Sequence, residues 1–261
     1  MTMPFSEYQA LPGINWSTLK NMGASPLHYR HACDEDNEGS TRMLLGSAVH
    51  TAVLEPDEFP IRYAVFEGAT RRGKAWDEFE AAIADKDILK ASEYRLALAV
   101  RDAVMAHKPA RDLLTGTSEV VKTWTDHVTG LACKCRIDHI NAAGLVVDLK
   151  TTGSVDAREF ERTSARMQYH GQVAYYERGA DVSGSPAYII AVEIDPPHDV
   201  AVFGVTAFAL DYGDRLVSEY LNRVKACAES GTWPGRYQSV QELNLPAWME
   251  AEAQVGGGWD L

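Results

Sequence analysis

The sequence predicts an α/β fold of the α+β kind, a mixed central sheet flanked by helices, and three stretches carry that prediction. Residues 133–140 and 145–150 alternate apolar and polar side chains with a period of two, separated by the turn-forming Asn141-Ala142-Ala143-Gly144. Residues 118–127 form a preceding strand, joined through Thr129-Gly130, so 118–150 reads as an antiparallel meander. Beyond it the chain runs strand, helix, strand, the succession that builds a mixed sheet.

From the N-terminus, residues 1–32 hold two short helical pieces that read as packing. One contains Asn15 to Lys20; the other opens on Ser25 as N-cap with Pro26 at the first helical position. A polar loop over 33–40 leads to a helix over 41–54, whose stripe of Leu45, Ala48, Val49 and Ala52 marks a buried side and which Glu55-Pro56 ends. His50 lies at the edge of that stripe, one turn after Gly46, whose missing side chain leaves room beside the imidazole. Residues 57–114 read as a helical insertion, with helices over 75–84 and 92–107.

After the meander, Ser154-Val155-Asp156 offers a cap, and one helix carries Phe160, Met167, Val173, Ala174 and Tyr176. Gln168, Gln172 and Tyr176 recur every four residues and share a face, which is either solvent-exposed or lines a site. Strands over 187–194 and 200–207 flank Asp195-Pro196-Pro197-His198, and a helix over 211–230 turns Val217, Tyr220, Leu221, Val224 and Cys227 inward. The tail over 231–261, with Trp233-Pro234-Gly235, Trp248 and Gly256-Gly257-Gly258-Trp259, reads as loosely ordered and suited to subunit or partner contacts. The whole is read as a single domain, 1–261: N-terminal helices to 56, the insertion over 57–117, an αβ core over 118–230, then the tail.

With 261 residues, 46% of them hydrophobic and 24% charged, the chain can bury one sizeable core. No run of 18 apolar residues and no basic-then-apolar N-terminus is present, so a soluble cytoplasmic protein without membrane contact is expected. The net charge of −12 argues against a general nucleic-acid binder and leaves local clusters to do any such work. Lys134 with Arg136 is one candidate. Arg71-Arg72-Gly73-Lys74 is another, and reads equally well as a solvated surface run. Cysteines 33, 133, 135 and 227 form no C-x-x-C pair and read as buried free thiols. No G-x-x-x-x-G-K-[ST] occurs, so no nucleotide-driven motor is encoded.

The chemistry concentrates at residues 133–152. On the strand over 145–150, Asp148 and Lys150 point to one face and Leu145, Val147 and Leu149 to the other. Pairing with the preceding strand brings the Asp138 carboxylate close to that of Asp148. Two converging, half-buried carboxylates repel each other, and a divalent cation with oxygen ligands is the usual compensation. A D-x-K alone also occurs on solvated sheet faces. Here the apolar run Leu145-Val146-Val147 marks a buried strand, whose terminal charges are costly unless paired or metal-bound.

Asp138 followed by Asp148-Leu149-Lys150 resembles the PD-(D/E)XK nuclease superfamily, whose restriction-endonuclease-like core has this sheet. Lys150-Thr151-Thr152, the later Tyr169 to Tyr176 segment and the upstream Gly46-Ser47-Ala48-Val49-His50 are similar to its RecB/RecE branch, nearest to phage and prophage RecE-type exonucleases. The resemblance implies a Mg²⁺-dependent exonuclease acting on double-stranded DNA ends, 5′ to 3′, in phage-type recombination. Mn²⁺ is an allowed substitute, and neither a nucleotide nor an iron–sulfur cluster is expected. It implies Asp138, Asp148 and Lys150 as catalytic residues, with His50, both aspartates and the Leu149 main-chain carbonyl as metal ligands. Glu119 reads either as an additional acid near the metal or as a plain edge-strand glutamate. Gln172 and Tyr176 match the branch's Q-x-x-x-Y motif, and with Gln168 and Thr151 they would support the site or position DNA. Arg72, Lys74 and Trp76 on the insertion are candidates for the wall of a DNA channel. Relatives form ring-shaped homo-oligomers, trimers or tetramers, beside a single-strand annealing protein in the bacterial host cytoplasm. An endonuclease or single-strand nuclease on the same fold, and an inactive DNA-binding or assembly module, are the alternatives.

Overall fold

The structure is a computed structural model that describes residues 3–34, 41–83, 86–245, 247 and 249. It opens with α1 (Phe5–Ala10), α2 (Trp16–Leu19), a 3₁₀ turn (Lys20–Gly23), α3 (Pro26–Asp34) and α4 (Thr41–Leu54). Ser25 caps α3 as expected, its hydroxyl accepting the His28 amide at 3.2 Å. Cys33 belongs to α3 and is exposed, so the expected loop starts later and that thiol is not buried; 35–40 lie outside the described residues.

The insertion continues as α5 (Phe59–Arg62), β1 (Tyr63–Phe66), α6 (Lys74–Ala82), β2 (Asp87–Lys90), α7 (Ala91–Ala106) and α8 (Lys108–Leu113). It is therefore not purely helical: β1 and β2 pair as a two-stranded parallel sheet. Runs of four residues are too short for any period to show.

The central sheet has five strands, β3 (Gly116–Thr125), β4 (Ala132–Asn141), β5 (Val146–Thr152), β6 (Ala187–Glu193) and β7 (Val200–Val205), in spatial order β3-β4-β5-β6-β7. All neighbours are antiparallel except β5 and β6. That parallel junction needs a crossover, supplied by α9 (Ala157–Met167) and α10 (Tyr169–Ala180). The expected single helix is thus two. Gln168 between them sits in the left-handed region, φ 58°, with no glycine or proline to announce the break. Leu145 belongs to the turn before β5, where Asn141 Oδ1 accepts its amide, so the strand starts one residue later than expected.

Helices cover both faces. One core joins α2, α3, α10 and α11 (Ala207–Ser230) to Cys133, Cys135, Ile137, Val146, Ile189 and Ala191. The other joins α4 and α7 to Val147, Leu149, Ile190 and Val192. Strand β6 contributes to both, which is why it reads as an unbroken apolar run. Helices α10 and α11 cross closely at Gly213, where a Cβ would come within 2.3 Å of the His170 carbonyl oxygen. The start of the tail is docked: Trp233 stacks on Tyr29 at 5.6 Å, and Pro234 accepts the Leu27 amide. Trp248 and the Gly256 to Trp259 run lie outside the described residues. No helix among the described residues is long and apolar enough to cross a membrane.

Candidate active site

Strands β4 and β5 pair through His139 with Val147 and Ile140 with Val146, and beyond that point a side chain replaces the ladder. Asp138 Oδ2 accepts the amide of Leu149 at 2.9 Å. This satisfies a buried donor and brings Asp138 beside Asp148, which is 0% exposed. Lys150 Nζ lies 2.6 Å from Asp148 Oδ2, and its ammonium sits 5.0 Å from the centre of the Tyr169 ring. From the opposite layer, α4 delivers His50, whose Nδ1 is 3.6 Å from Asp138 Oδ2 and whose ring lies beside the Leu149 backbone. His50, Asp138, Asp148 and Lys150 therefore meet around the main chain of Leu149, whose own side chain is in the second core.

Burial foremost pushes the Asp148 carboxyl up to about 6, with Lys150 opposing and Asp138 reinforcing the shift. Asp138 is raised for the same first reason. Burial, then the Lys150 ammonium, push His50 down to about 4, so the imidazole is neutral near pH 7. Burial alone would lower Lys150, but Asp148 and Asp138 outweigh it and hold the ammonium above its ordinary range.

Tyr176 is buried near both aspartates, and its hydroxyl accepts a hydrogen bond from Gln172 Nε2 at 2.8 Å. The expected Gln172–Tyr176 pair is therefore present. Gln168 leaves that face because of the helix break, and accepts instead from the Tyr220 hydroxyl at 3.4 Å. Thr151 lies one residue beyond Lys150, opposite Val192, half-buried.

Glu119 falls between the paired positions Ser118–His139 and Val120–Ile137 on β3, with φ 54°, a left-handed backbone inside a strand. Its carboxylate is held by Arg136, Nε to Oε2 at 2.5 Å, and Arg136 Nη2 also lies 3.5 Å from Glu55 Oε2. Burial, then Asp138, push the Glu119 carboxyl up to about 8. Glu119 thus pairs with Arg136 and stands near enough to Asp138 to be influenced by it, an acid beside the Asp138–Asp148 pair. Arg136 and Glu55 were not expected in this role. The period-two spacing of Arg136 and Asp138 was the available signal.

The expected basic candidates have unlike surroundings. Lys134 is buried, its ammonium donating to the carbonyls of Tyr8, Gln9 and Leu11 at the end of α1. Arg71 pairs with Glu93, Lys74 lies 3.6 Å from Glu78, and Trp76 packs edge-on against Phe66, while Arg72 is exposed. No contact among the described residues joins Arg72, Lys74 or Trp76 to the aspartates. Tyr169 is an addition that sequence reasoning missed. A shallow groove lined by Ala103, His107, Pro197 and Asp199 shares no residue with this cluster.

Two carboxylates, a carbonyl and a neutral imidazole form an oxygen-rich set suited to Mg²⁺ or Mn²⁺. Among the described residues, no three His, Cys, Asp or Glu side chains are already gathered as a cation cage. The fit rests instead on Asp148, whose Oδ1 is buried with no hydrogen-bond partner, an acceptor that a cation would satisfy.

A mixed five-stranded sheet with Asp138 and Asp-x-Lys on splayed neighbouring strands defines a PD-(D/E)XK-type protein. The sequence matches, over residues 15–245, the family described as a PDDEXK-like domain of unknown function (DUF3799), and the chain belongs to that family. No curated protein matches it. Among solved structures it is similar to one titled "Putative exonuclease" from Eubacterium rectale, at 16% identity, TM-score 0.64, covering 97% of this chain and 99% of that one. A second, SSO0001, has 13% identity, TM-score 0.31 and coverage of 79% and 84%.

Proposed function

We propose that the chain is a divalent-metal-dependent exodeoxyribonuclease of the RecE-like kind, hydrolysing phosphodiesters from duplex DNA ends in the 5′-to-3′ sense. The observation that carries this reading is the meeting of His50, Asp138, Asp148 and Lys150 about Leu149. A phosphodiester resists water because its charge repels the nucleophile and its alkoxide leaves poorly. Asp138, Asp148, the Leu149 carbonyl and His50 would hold Mg²⁺ or Mn²⁺, which when bound activates water and stabilises the departing oxygen.

The chain's own groups do the rest. Lys150 presents a cation that orients the attacking water and offsets charge on the scissile phosphate. Tyr169 restricts that ammonium from one side. The Gln172–Tyr176 pair fixes a hydroxyl behind the carboxylates. Assembly as a ring around DNA, beside an annealing protein in the bacterial cytoplasm, belongs to the same proposal.

The test is a time course with Mg²⁺ on an end-labelled linear duplex and on a covalently closed circle. The linear duplex is expected to be degraded from its ends and the circle to survive. Lys150→Ala is expected to slow cleavage by at least about 10²-fold, the scale of losing one preorganised charge contact. Cleavage of the circle makes the protein an endonuclease instead, and full activity in Lys150→Ala removes the site assignment.

A further inference from the structure

The exposed polar face of α9 carries Arg158, Arg162 and Arg166, spaced four residues apart and therefore on one side of the helix. All three are exposed, and none has an ion-pair or hydrogen-bond partner for its guanidinium among the described residues. Glu159 and Glu161 on the same helix flank the row without pairing to it. Many exposed cations elsewhere are neutralised locally, as in Arg30–Asp34, Lys108–Asp112, Arg215–Asp211 and Arg223–Glu219. In a chain of net charge −12, an uncompensated row of three stands out.

Its position ties it to the chemistry. Phe160 on the buried side of α9 stacks on Phe203 of β7 at 4.6 Å and lies 6.1 Å from Tyr169, the ring over Lys150. Phe160 thus sets α9 against both β7 and Tyr169, and Arg166, at the last turn of the helix, precedes Tyr169 by three residues. Arg166 influences Tyr169 electrostatically, and Lys20 adds a further cation near Lys150. At 1.5 Å rise per residue the row spans about 12 Å, the length of about three to four phosphates at 3.4 Å per strand phosphate.

We propose that Arg158, Arg162 and Arg166 form a phosphate-binding row that carries one nucleic-acid strand between the β7 edge of the sheet and the candidate active site. The proposal rests on the nuclease reading and extends it to the path of the substrate. Guanidinium groups suit phosphate because their fixed fork gives two parallel hydrogen bonds.

The experiment measures DNA affinity against salt concentration, with Ca²⁺ in place of Mg²⁺, for the full chain and for the triple variant Arg158→Gln, Arg162→Gln, Arg166→Gln. Labelled single-stranded and duplex oligonucleotides of one sequence are the probes. Each lost phosphate contact lowers the slope of log K on log[salt] by about 0.7 for a single strand and about 0.9 for a duplex. The triple variant is therefore expected to lose about 2 to 3 from the slope on the probe that lies on the row. A control changing charge equally, Arg95→Gln, Arg101→Gln, Arg111→Gln, is expected to keep it. An unchanged slope in the α9 variant, or an equal loss in the control, overturns the proposal while leaving the nuclease reading standing. Equal binding of poly-glutamate, lost in the same variant, reduces the row to a general anion surface and also overturns it. Absence of DNA binding by the unmodified chain, together with absence of cleavage, overturns both.

Discussion

Buried carboxyls decide how this protein answers to pH, and Glu177 shows it away from the site. It is 3% exposed, Oε1 has no hydrogen-bond partner, and Oε2 accepts only a long 3.4 Å bond from the Gly184 amide. Burial foremost, then Asp214, push its carboxyl up to about 7 from 4.5. Between those values the unfolded chain has released its proton and the folded chain has not. Stability therefore falls as pH rises from about 4.5 to about 7, and levels off above. Glu177→Gln is expected to raise stability by about 1–3 kcal/mol at pH 8 and to change it little at pH 4, at about 1.4 kcal/mol per shifted unit. Urea denaturation at the two pH values checks this; equal effects at both would remove the assignment. No local pattern announces Glu177, because its environment is made by distant segments. Asp138, Asp148 and Lys150 were legible because alternation along two adjoining strands fixes their neighbourhood. Arg136 was read with Lys134 as a basic cluster because the two glutamates beside it, Glu55 and Glu119, lie far from it in the chain.

At the scale of elements, the crossing of α10 and α11 is set by Gly213. Any side chain there meets the His170 carbonyl, which is backbone and cannot turn aside. Gly213→Ala is expected to force the helices apart and cost about 1–3 kcal/mol despite alanine's better helix propensity. A lowered urea midpoint with unchanged slope checks it, and a neutral or stabilising outcome contradicts so close a crossing. Long, strongly periodic elements such as α4, α7 and α11 were legible within a few residues. The strands β1 and β2 were not, being too short for their pattern to outweigh surrounding helix. The break at Gln168 was hidden because neither glycine nor proline marks it.

For the molecule as a whole, two buried aspartates make folding and cation binding linked quantities. Mg²⁺ or Ca²⁺ is expected to raise the Tm, with about 2.7 kcal/mol gained at a hundred times Kd. Asp148→Asn, which removes one of the two buried carboxylates, is expected to abolish the cation response. Differential scanning fluorimetry checks both, and a cation response that survives the substitution places the binding elsewhere. The meander could be anticipated from the chain, since successive antiparallel strands joined by short turns are neighbours. Which helices cover which face could not, because that depends on two cores that share β6.

Leu149 ties these scales together. Its side chain is locked in the interior, its amide serves Asp138, and its main chain also meets His50. The reactive cluster accordingly has no insulation from the packing beneath it: a cavity opened under α4 and α7 reaches the carboxylates as directly as a change made at the surface. Catalytic loss on warming is then expected to precede global unfolding, visible as an activity midpoint several degrees below the calorimetric one.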